Sequence, residues 1–144
     1  MSDMSRSTIV IEAPMSQVSE VLLDLEKYPD WSDSITKVKV TERDDAGRVT
    51  GAVMTISAGA LKDDVSLTYN WDGAPARLEF ELEDANMLTK MDGAYILKDL
   101  GDETEVTYEL SVGVSMPIPQ AMITKQEKST IDQSLAQLKE HCEG

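Results

Sequence analysis

Ile11-Glu12-Ala13-Pro14 and Tyr28-Pro29-Asp30-Trp31 bracket the first helical segment of this chain and decide its fold. Before them, residues 7–12 have the two-residue period of a β-strand. Pro14 suits the first turn of a helix, where a missing N–H leaves no hydrogen bond unmade. A residue that precedes proline avoids the α region, so the helix is expected to end before Tyr28-Pro29. The opening of the chain therefore predicts one strand followed by one short helical unit.

Six further segments with a period of two follow the helix, at residues 36–41, 49–58, 65–71, 77–83, 89–97 and 106–114. The fourth is the clearest, because Leu78 and Phe80 alternate with Glu79 and Glu81. One face of this strand is apolar and the other is charged, as in an antiparallel sheet with one buried face. Together with the first strand, these segments predict a seven-stranded, curved antiparallel sheet.

The chain closes with one long helical segment that follows Pro117-Ile118-Pro119. Its second half carries an apolar stripe at helical spacing, formed by Ile131, Leu135, Leu138 and Cys142. Extended backward, the stripe becomes polar, at Gln120, Thr124 and Glu127. Buried charges need partners, so this half either faces solvent or covers a wet cavity, and we favour the cavity. The predicted class is α+β, with the sheet curved around the C-terminal helix in a single ligand-binding domain of residues 1–144.

The composition disfavours several kinds of partner. The 144 residues include 27 acids and 13 bases, which gives a formal net charge of −14. Such a surface repels phosphate backbones and anionic lipid headgroups, so we expect no nucleic-acid binding and no stable membrane association. The single cysteine cannot form an intrachain disulfide, and no apolar run approaches the ~20 residues of a membrane span. These features predict a cytoplasmic protein.

Several short motifs resemble those of one known family. They are Ile11-x-Ala13-Pro14, Tyr28-Pro29-x-Trp31, Gly93-x-Tyr95-x-Leu97, Thr104-x-Val106-x-Tyr108 and Pro117-x-Pro119. With these motifs the chain resembles the START-like helix-grip superfamily (SRPBCC). Within it, the chain looks most similar to the polyketide cyclase/dehydrase and lipid transport family, which includes coenzyme Q-binding relatives. The resemblance implies a helix-grip fold with a cavity between sheet and last helix that takes apolar or amphipathic small molecules. Family members include carriers, hormone receptors and cyclases, so the fold alone does not select an activity.

The predicted ligand-binding residues are inward-facing positions of the sheet and two positions at the start of the last helix. They are Met54, Ile56, Leu67, Tyr69, Phe80, Tyr95, Tyr108, Met122 and Thr124. Met122 is included although a helical wheel places it opposite the apolar stripe. The loop Ala58-Gly59-Ala60-Leu61 is expected to form a rim opposite the helix. The cavity is expected to measure roughly a few hundred Å³.

Candidates for catalysis are few. With His141 as the only histidine and one cysteine, we predict no metal site and no cofactor. We interpret a small cluster of acidic residues, Asp63, Asp64 and Asp84, as a solvated acidic loop. No serine lies in a nucleophile-elbow motif. The phenols of Tyr95 and Tyr108 are the catalytic candidates, because each can donate a hydrogen bond or act as a general acid.

Three functions fit these features. We favour non-covalent binding, transport or sequestration of a small apolar or amphipathic molecule, such as a lipid, a polyketide or a quinone-like compound. The first alternative is a polyketide cyclase or aromatase that folds a reactive chain in the pocket. The second is a protein–protein interaction module with a vestigial pocket. Against the enzyme, all four arginines are expected outside the pocket, which leaves no obvious cation to stabilise an enolate. No oligomeric state is predicted.

Overall fold

One antiparallel sheet dominates the computed structural model, which describes residues 4–58 and 61–143 and only the backbone of Ala58 and Leu61. Its strands are β1 (Ser5–Ile11), β2 (Ile35–Arg43), β3 (Val49–Ala58), β4 (Leu61–Asn70), β5 (Arg77–Ala85), β6 (Leu88–Asp99) and β7 (Thr104–Val114). Their order across the sheet is β1-β7-β6-β5-β4-β3-β2, so the first strand pairs with the last. This architecture confirms the predicted α+β class and the seven-stranded antiparallel sheet.

The helices are α1 (Met15–Leu23), a 3₁₀ helix (Leu25–Asp30) and α2 (Gln120–Glu143). The α-helical part of the first unit is shorter than predicted, and the 3₁₀ helix continues through Pro29. In a 3₁₀ helix, residues three apart lie above one another, which puts Leu25 and Tyr28 on the same buried side. The Tyr28 hydroxyl then donates a hydrogen bond of 2.6 Å to the carbonyl of Leu22. Within the described residues, no helix is both long and apolar enough to cross a membrane.

The inward faces of the strands are buried as the alternation predicts. They carry Ala52, Met54, Ile56, Val65, Leu67, Leu78, Phe80, Val106, Tyr108 and Leu110. On the outer face of β5, Glu79 and Glu81 are exposed. Leu82, which the alternation also turns inward, is only half-buried. Its position explains this, because β5 pairs with β6 only as far as Phe80 opposite Gly93, and Leu82 lies beyond that pair.

Helix α2 lies along the edge strand β1 and covers it. The Nζ of Lys128 donates to the carbonyl of Arg6 at 2.9 Å, and the Nζ of Lys139 donates to the carbonyl of Val10 at 2.9 Å. Strand edges need such cover, because their free backbone groups otherwise pair with other chains. The predicted apolar stripe of α2 is buried, at Ile131, Leu135, Leu138 and Cys142. These contacts fix the second half of the helix against the sheet.

Candidate ligand-binding cavity

A cavity of about 220 Å³ lies between the sheet and α2. Strands β6 and β7 supply most of its floor, and α2 forms its roof. The lining residues are Ser34, Ile35, Ile56, Leu88, Met91, Tyr95, Tyr108, Leu110, Val112, Val114, Ile118, Met122, Ile123, Gln126, Glu127, Thr130 and Ser134. Most of these side chains are apolar, and the polar ones come mainly from the helix.

The cavity opens where β7 extends beyond its neighbour β1. The last β1–β7 pair joins Ser5 to Leu110, and residues 111–114 continue without β1 beside them. At the other end of the helix, Leu135 and Leu138 are fully packed into the core. The first half of α2 therefore roofs a space that β1 does not fill.

Glu127 links the helix to both strands at this point. Its side chain is only 3% exposed. One carboxylate oxygen accepts the Ser5 hydroxyl at 2.8 Å, and the other accepts the backbone N–H of Val112 at 2.6 Å. Val112 lies beyond the last β1–β7 pair. The carboxylate of Glu127 therefore accepts a hydrogen bond from a backbone N–H that does not pair with β1. A buried carboxylate with both oxygens hydrogen-bonded avoids the large cost of an unpaired one.

The inner end of the cavity is rich in hydroxyl groups. Ser134 is 3% exposed, and its hydroxyl makes no hydrogen bond to another residue in the described part of the chain. The hydroxyl of Ser34 lies 3.1 Å from that of Ser32. The amide of Gln126 donates to the Thr130 hydroxyl at 3.2 Å. Because Ser34 and Ser134 both line the cavity, a ligand that reaches this end meets neutral donors and acceptors.

Tyr95 and Tyr108 stand side by side in the floor. Their rings stack with centroids 4.2 Å apart and planes 19° from parallel. Burial raises the pKa of Tyr95 well above its usual value, and the neighbouring Tyr108 adds to the increase. Burial also raises the pKa of Tyr108, against a smaller lowering by its hydrogen bond with Tyr95. Both phenols therefore stay protonated at neutral pH and can act as hydrogen-bonding groups.

The mouth of the cavity is apolar. It lies beside the start of α2, where Ile118 and Ile123 are half-buried and Met122 is 62% exposed. Val114, the last residue of β7, completes this rim. The opposite rim predicted at Ala58-Gly59-Ala60-Leu61 includes residues 59 and 60, which lie outside the described residues.

Four of the nine predicted ligand-binding residues line the cavity, namely Ile56, Tyr95, Tyr108 and Met122. Met122 does so despite its position on the helical wheel, because the mouth lies at the start of α2. Thr124 is exposed on another face of the helix, where its hydroxyl accepts a 3.4 Å hydrogen bond from Gln120. Of the three polar positions that extend the α2 stripe, Gln120, Thr124 and Glu127, only Glu127 is buried and lines the cavity.

The other four predicted residues, Met54, Leu67, Tyr69 and Phe80, are buried but do not line the cavity. They fill the sheet further from α2. The rings of Tyr69 and Phe80 lie 5.9 Å apart, and the Tyr69 hydroxyl donates to the sulfur of Met54 at 3.5 Å. Phe80 lies directly over Gly93, where a Cβ would come within 2.6 Å of the ring. Glycine at this position therefore leaves room for the Phe80 ring, which does not line the cavity.

The sequence-based prediction missed most of the helical wall. Gln126, Thr130 and Ser134 follow one another at a spacing of four, which puts them on one face of α2. This polar row beside an apolar stripe is the signal that could have found them. Leu110 and Val112 share the phase of Tyr108 on β7, so the same alternation that predicted Tyr108 also indicates these two residues.

The acidic residues interpreted from the sequence as a solvated loop, Asp63, Asp64 and Asp84, lie instead in strands β4 and β5. Asp63 is buried and accepts the backbone N–H groups of Asn86, Met87 and Leu88 at 2.8–3.2 Å, so its oxygens hold the turn between β5 and β6. Asp84 is exposed. Among the described residues, no group of three His, Cys, Asp or Glu side chains is placed to hold a metal ion.

The two remaining candidates lie at the end of α2, away from the cavity. His141 is exposed in the last turn. Burial, together with the neighbouring carboxylate of Glu143, raises the pKa of the Cys142 thiol to about 11. The thiol therefore stays protonated and packs as an apolar group.

Comparison with known families identifies the scaffold. Residues 4–143 match the family described as polyketide cyclase / dehydrase and lipid transport. The chain belongs to this family. The match spans both the sheet and α2, so it includes every wall of the cavity. No curated protein matches the chain in a sequence comparison.

Solved structures share the whole fold at low sequence identity. A START superfamily protein from Mycobacterium smegmatis has a TM-score of 0.92 at 21% identity, over 99% of this chain and 98% of its own. A Thermus thermophilus protein has a TM-score of 0.84 at 20% identity, over 96% of both chains. The Zhui aromatase/cyclase from a Streptomyces species has a TM-score of 0.75 at 15% identity, over 97% of this chain and 93% of its own. These likenesses establish the START-like helix-grip fold.

Proposed function

We propose that this member of the family binds a small apolar or amphipathic molecule non-covalently, as a carrier or sequestering protein. The observation that carries the proposal is the cavity of about 220 Å³ with a mostly apolar wall and a few polar groups. An apolar cavity of about 150 Å³ can hold benzene. The space available here therefore suits a molecule of one or two rings, or a short chain. A cavity of this size also argues against the interaction-module alternative, in which the pocket would be vestigial.

The chemistry of the wall favours binding over catalysis. Its described residues include no cysteine, histidine, lysine or arginine. The one carboxylate among them, Glu127, is hydrogen-bonded to the hydroxyl of Ser5, which does not line the cavity, so no described lining nucleophile is paired with a base. Burial makes the phenols of Tyr95 and Tyr108 weaker acids than free tyrosine. A general acid works best when its pKa lies near the working pH. The wall can therefore hold and orient a ligand but has little to offer for proton transfer.

A cyclase is the second candidate, and one observation favours it. The stacked pair of Tyr95 and Tyr108 presents two neighbouring phenols to the cavity. Because the two phenols hydrogen-bond to each other, one hydroxyl of the pair can donate to a carbonyl group of a reactive chain while the wall sets the shape of that chain. The family description covers both cyclases and lipid transport, and an aromatase/cyclase shares the fold. Tyr→Phe variants, together with product analysis of a reactive polyketone chain, separate the two functions.

Binding of naphthol, a neutral fluorescent two-ring probe, tests the proposal. We expect saturable binding to the wild-type protein and a loss of affinity of about tenfold or more, ~1.4 kcal/mol, in Val112→Trp. The larger side chain would occupy the cavity that Val112 now lines. Val10→Trp is the matched control, because Val10 is exposed on the outer side of β1. Melting temperatures verify that both variants fold, and Ile123→Trp at the mouth replaces Val112→Trp if that variant does not.

Two outcomes would contradict the proposal. One is a wild-type protein that shows no saturable binding of naphthol. The other is equal loss of affinity in Val112→Trp and Val10→Trp, which would place the bound probe outside the cavity.

A further inference from the structure

The cavity has one ionisable carboxyl group and no basic group among its described lining residues. Glu127 is the only acid among the described residues of the wall, and the two phenols are neutral at physiological pH. Two bases that adjoin Glu127 and its partner Ser5 in the chain are bound to other groups. Lys128 donates to the Ser7 hydroxyl and the Arg6 carbonyl, and Arg6 pairs with Glu109 on the other face of the sheet. A negatively charged ligand would find no counter-ion among the described lining residues.

A ligand carboxylate would therefore lose its hydration without compensation. Moving an unpaired carboxylate out of water is strongly unfavourable, and a like charge nearby adds to the cost. Glu127 is itself buried and would lie along the path between mouth and inner end. A neutral hydroxyl or carbonyl group meets none of these costs, because serine, threonine and tyrosine hydroxyls can pair with it.

The polar groups are also unevenly distributed along the cavity, with an apolar mouth and a polar inner end. Along α2, the lining residues run from Met122 and Ile123 at the mouth to Thr130 and Ser134 at the inner end. The floor follows the same order, from Val114 at the mouth to Tyr108 inside. The hydroxyl of Ser134, which has no hydrogen-bond partner among the described residues, lies at the polar end, where a polar group of a ligand can pair with it.

We propose that the cavity selects uncharged ring compounds bearing a hydroxyl or carbonyl group, which enter with that group first, and that it discriminates against carboxylates through Glu127. This selectivity rests on the ligand-binding function proposed above. It makes Ser134 a recognition residue for the polar group and leaves the apolar part of the ligand against Ile118, Met122 and Ile123.

Matched naphthalene derivatives test the charge selectivity. Naphthylmethanol, naphthylmethylamine and naphthoate have nearly the same size but carry a neutral, a positive and a negative group. We expect naphthoate to bind the wild-type protein about tenfold or more weakly than naphthylmethanol. Glu127→Gln should reduce the difference in affinity between naphthylmethanol and naphthoate. It should also weaken the binding of naphthylmethylamine relative to that of naphthylmethanol. If the Glu127→Gln variant does not fold, Thr130→Lys replaces it. This substitution adds a base to the wall and should raise the affinity for naphthoate selectively.

The orientation is tested with a ligand that lacks the polar group. In Ser134→Ala, we expect the affinity for naphthylmethanol to fall by roughly threefold to tenfold, since one hydrogen bond is lost. The affinity for methylnaphthalene should stay the same, because it has no group to pair with Ser134. Equal effects on both ligands would overturn the head-first orientation.

The outcomes separate this inference from the function on which it rests. Equal affinity of the wild-type protein for naphthoate and naphthylmethanol would overturn the charge selectivity while leaving ligand binding in place. Absence of binding by all the naphthalene derivatives would instead contradict the proposed function itself.

Discussion

Tyr95 and Tyr108 are the two side chains whose role differs most between a carrier and a cyclase. In a carrier they orient the ligand, and each hydrogen bond contributes about 0.5–1.5 kcal/mol. In a cyclase one of them would donate a proton in the transition state, which is typically a 10²- to 10⁴-fold effect. Their stacked geometry serves either role. The informative quantity is therefore how much ligand affinity or reaction rate is lost when one hydroxyl is removed.

We expect Tyr95→Phe and Tyr108→Phe each to change the affinity for naphthylmethanol by at most about tenfold. The measurement pairs this titration with product analysis of a reactive polyketone chain incubated with and without the wild-type protein. Tyr69→Phe is the control, because Tyr69 is a buried phenol that does not line the cavity. A change in the cyclisation products caused by the wild-type protein would contradict the carrier function, whatever the variants do.

Single residues could be predicted where a two-residue alternation decides their direction. Tyr95, Tyr108 and Ile56 were found in this way, and so were Phe80 and Leu67. Alternation does not reveal how far along the concave face each side chain lies from α2. Phe80 misses the cavity because its ring rests on Gly93 across the β5–β6 pair, a contact that depends on strand register.

At the scale of structural elements, Asp63 joins β4 to the turn between β5 and β6. Its carboxylate accepts the N–H groups of Asn86, Met87 and Leu88, together with that of the following residue. Burial by itself raises the pKa of Asp63, but these four hydrogen bonds outweigh burial and hold the pKa below its ordinary value of 3.8. The charged form is therefore the one that the folded chain prefers.

Asp63→Asn should consequently destabilise the protein in a pH-dependent way. A lowered pKa in the folded state contributes stability above the unfolded-state pKa, near 4, and this contribution is lost as the pH falls through the folded pKa. We expect a loss of roughly 1.5–3 kcal/mol at neutral pH, the usual range for hydrogen bonds to a charged group. Urea unfolding of wild type and variant from neutral to acidic pH measures it. Asp84→Asn, at an exposed carboxylate of β5, is the control. A difference that stays constant down to about pH 2.5 would refute this account of the turn.

Most of the elements could be predicted, because the strands and the last helix show a regular spacing of apolar residues in the sequence. The first helical unit was less so. Leu25 and Tyr28 are spaced equally well for an α-helix and for a 3₁₀ helix, and only packing decides between them. The inward turn of Glu127 depends on where β1 ends relative to β7, a length mismatch that no local pattern contains.

At the scale of the whole molecule, the dominant property is the net charge of −14. Several acids are paired, for example Glu109 with Arg6 and Asp44 with Arg48. With about twice as many acids as bases, many others have no such partner. The excess brings like charges together on folding, and this self-repulsion opposes the compact state.

Added salt should therefore stabilise the protein at neutral pH. Sodium chloride shortens the range of the repulsion to about 10 Å at ~0.1 M and about 3 Å at ~1 M. We expect the melting temperature to rise by a few degrees between about 10 mM and 500 mM salt, because a change of ~1 kcal/mol shifts a chain of this size by several degrees. Near the isoelectric point of about 4.3 the net repulsion vanishes. The same salt titration at that pH is the control, and the melting temperature should rise little there.

The double variant Glu81→Lys, Glu83→Lys, at two exposed positions of β5, should have a higher melting temperature than wild type in low salt, and added salt should raise that temperature less. A melting temperature that falls with salt at neutral pH would mean that the local ion pairs outweigh the net repulsion, which would overturn the prediction.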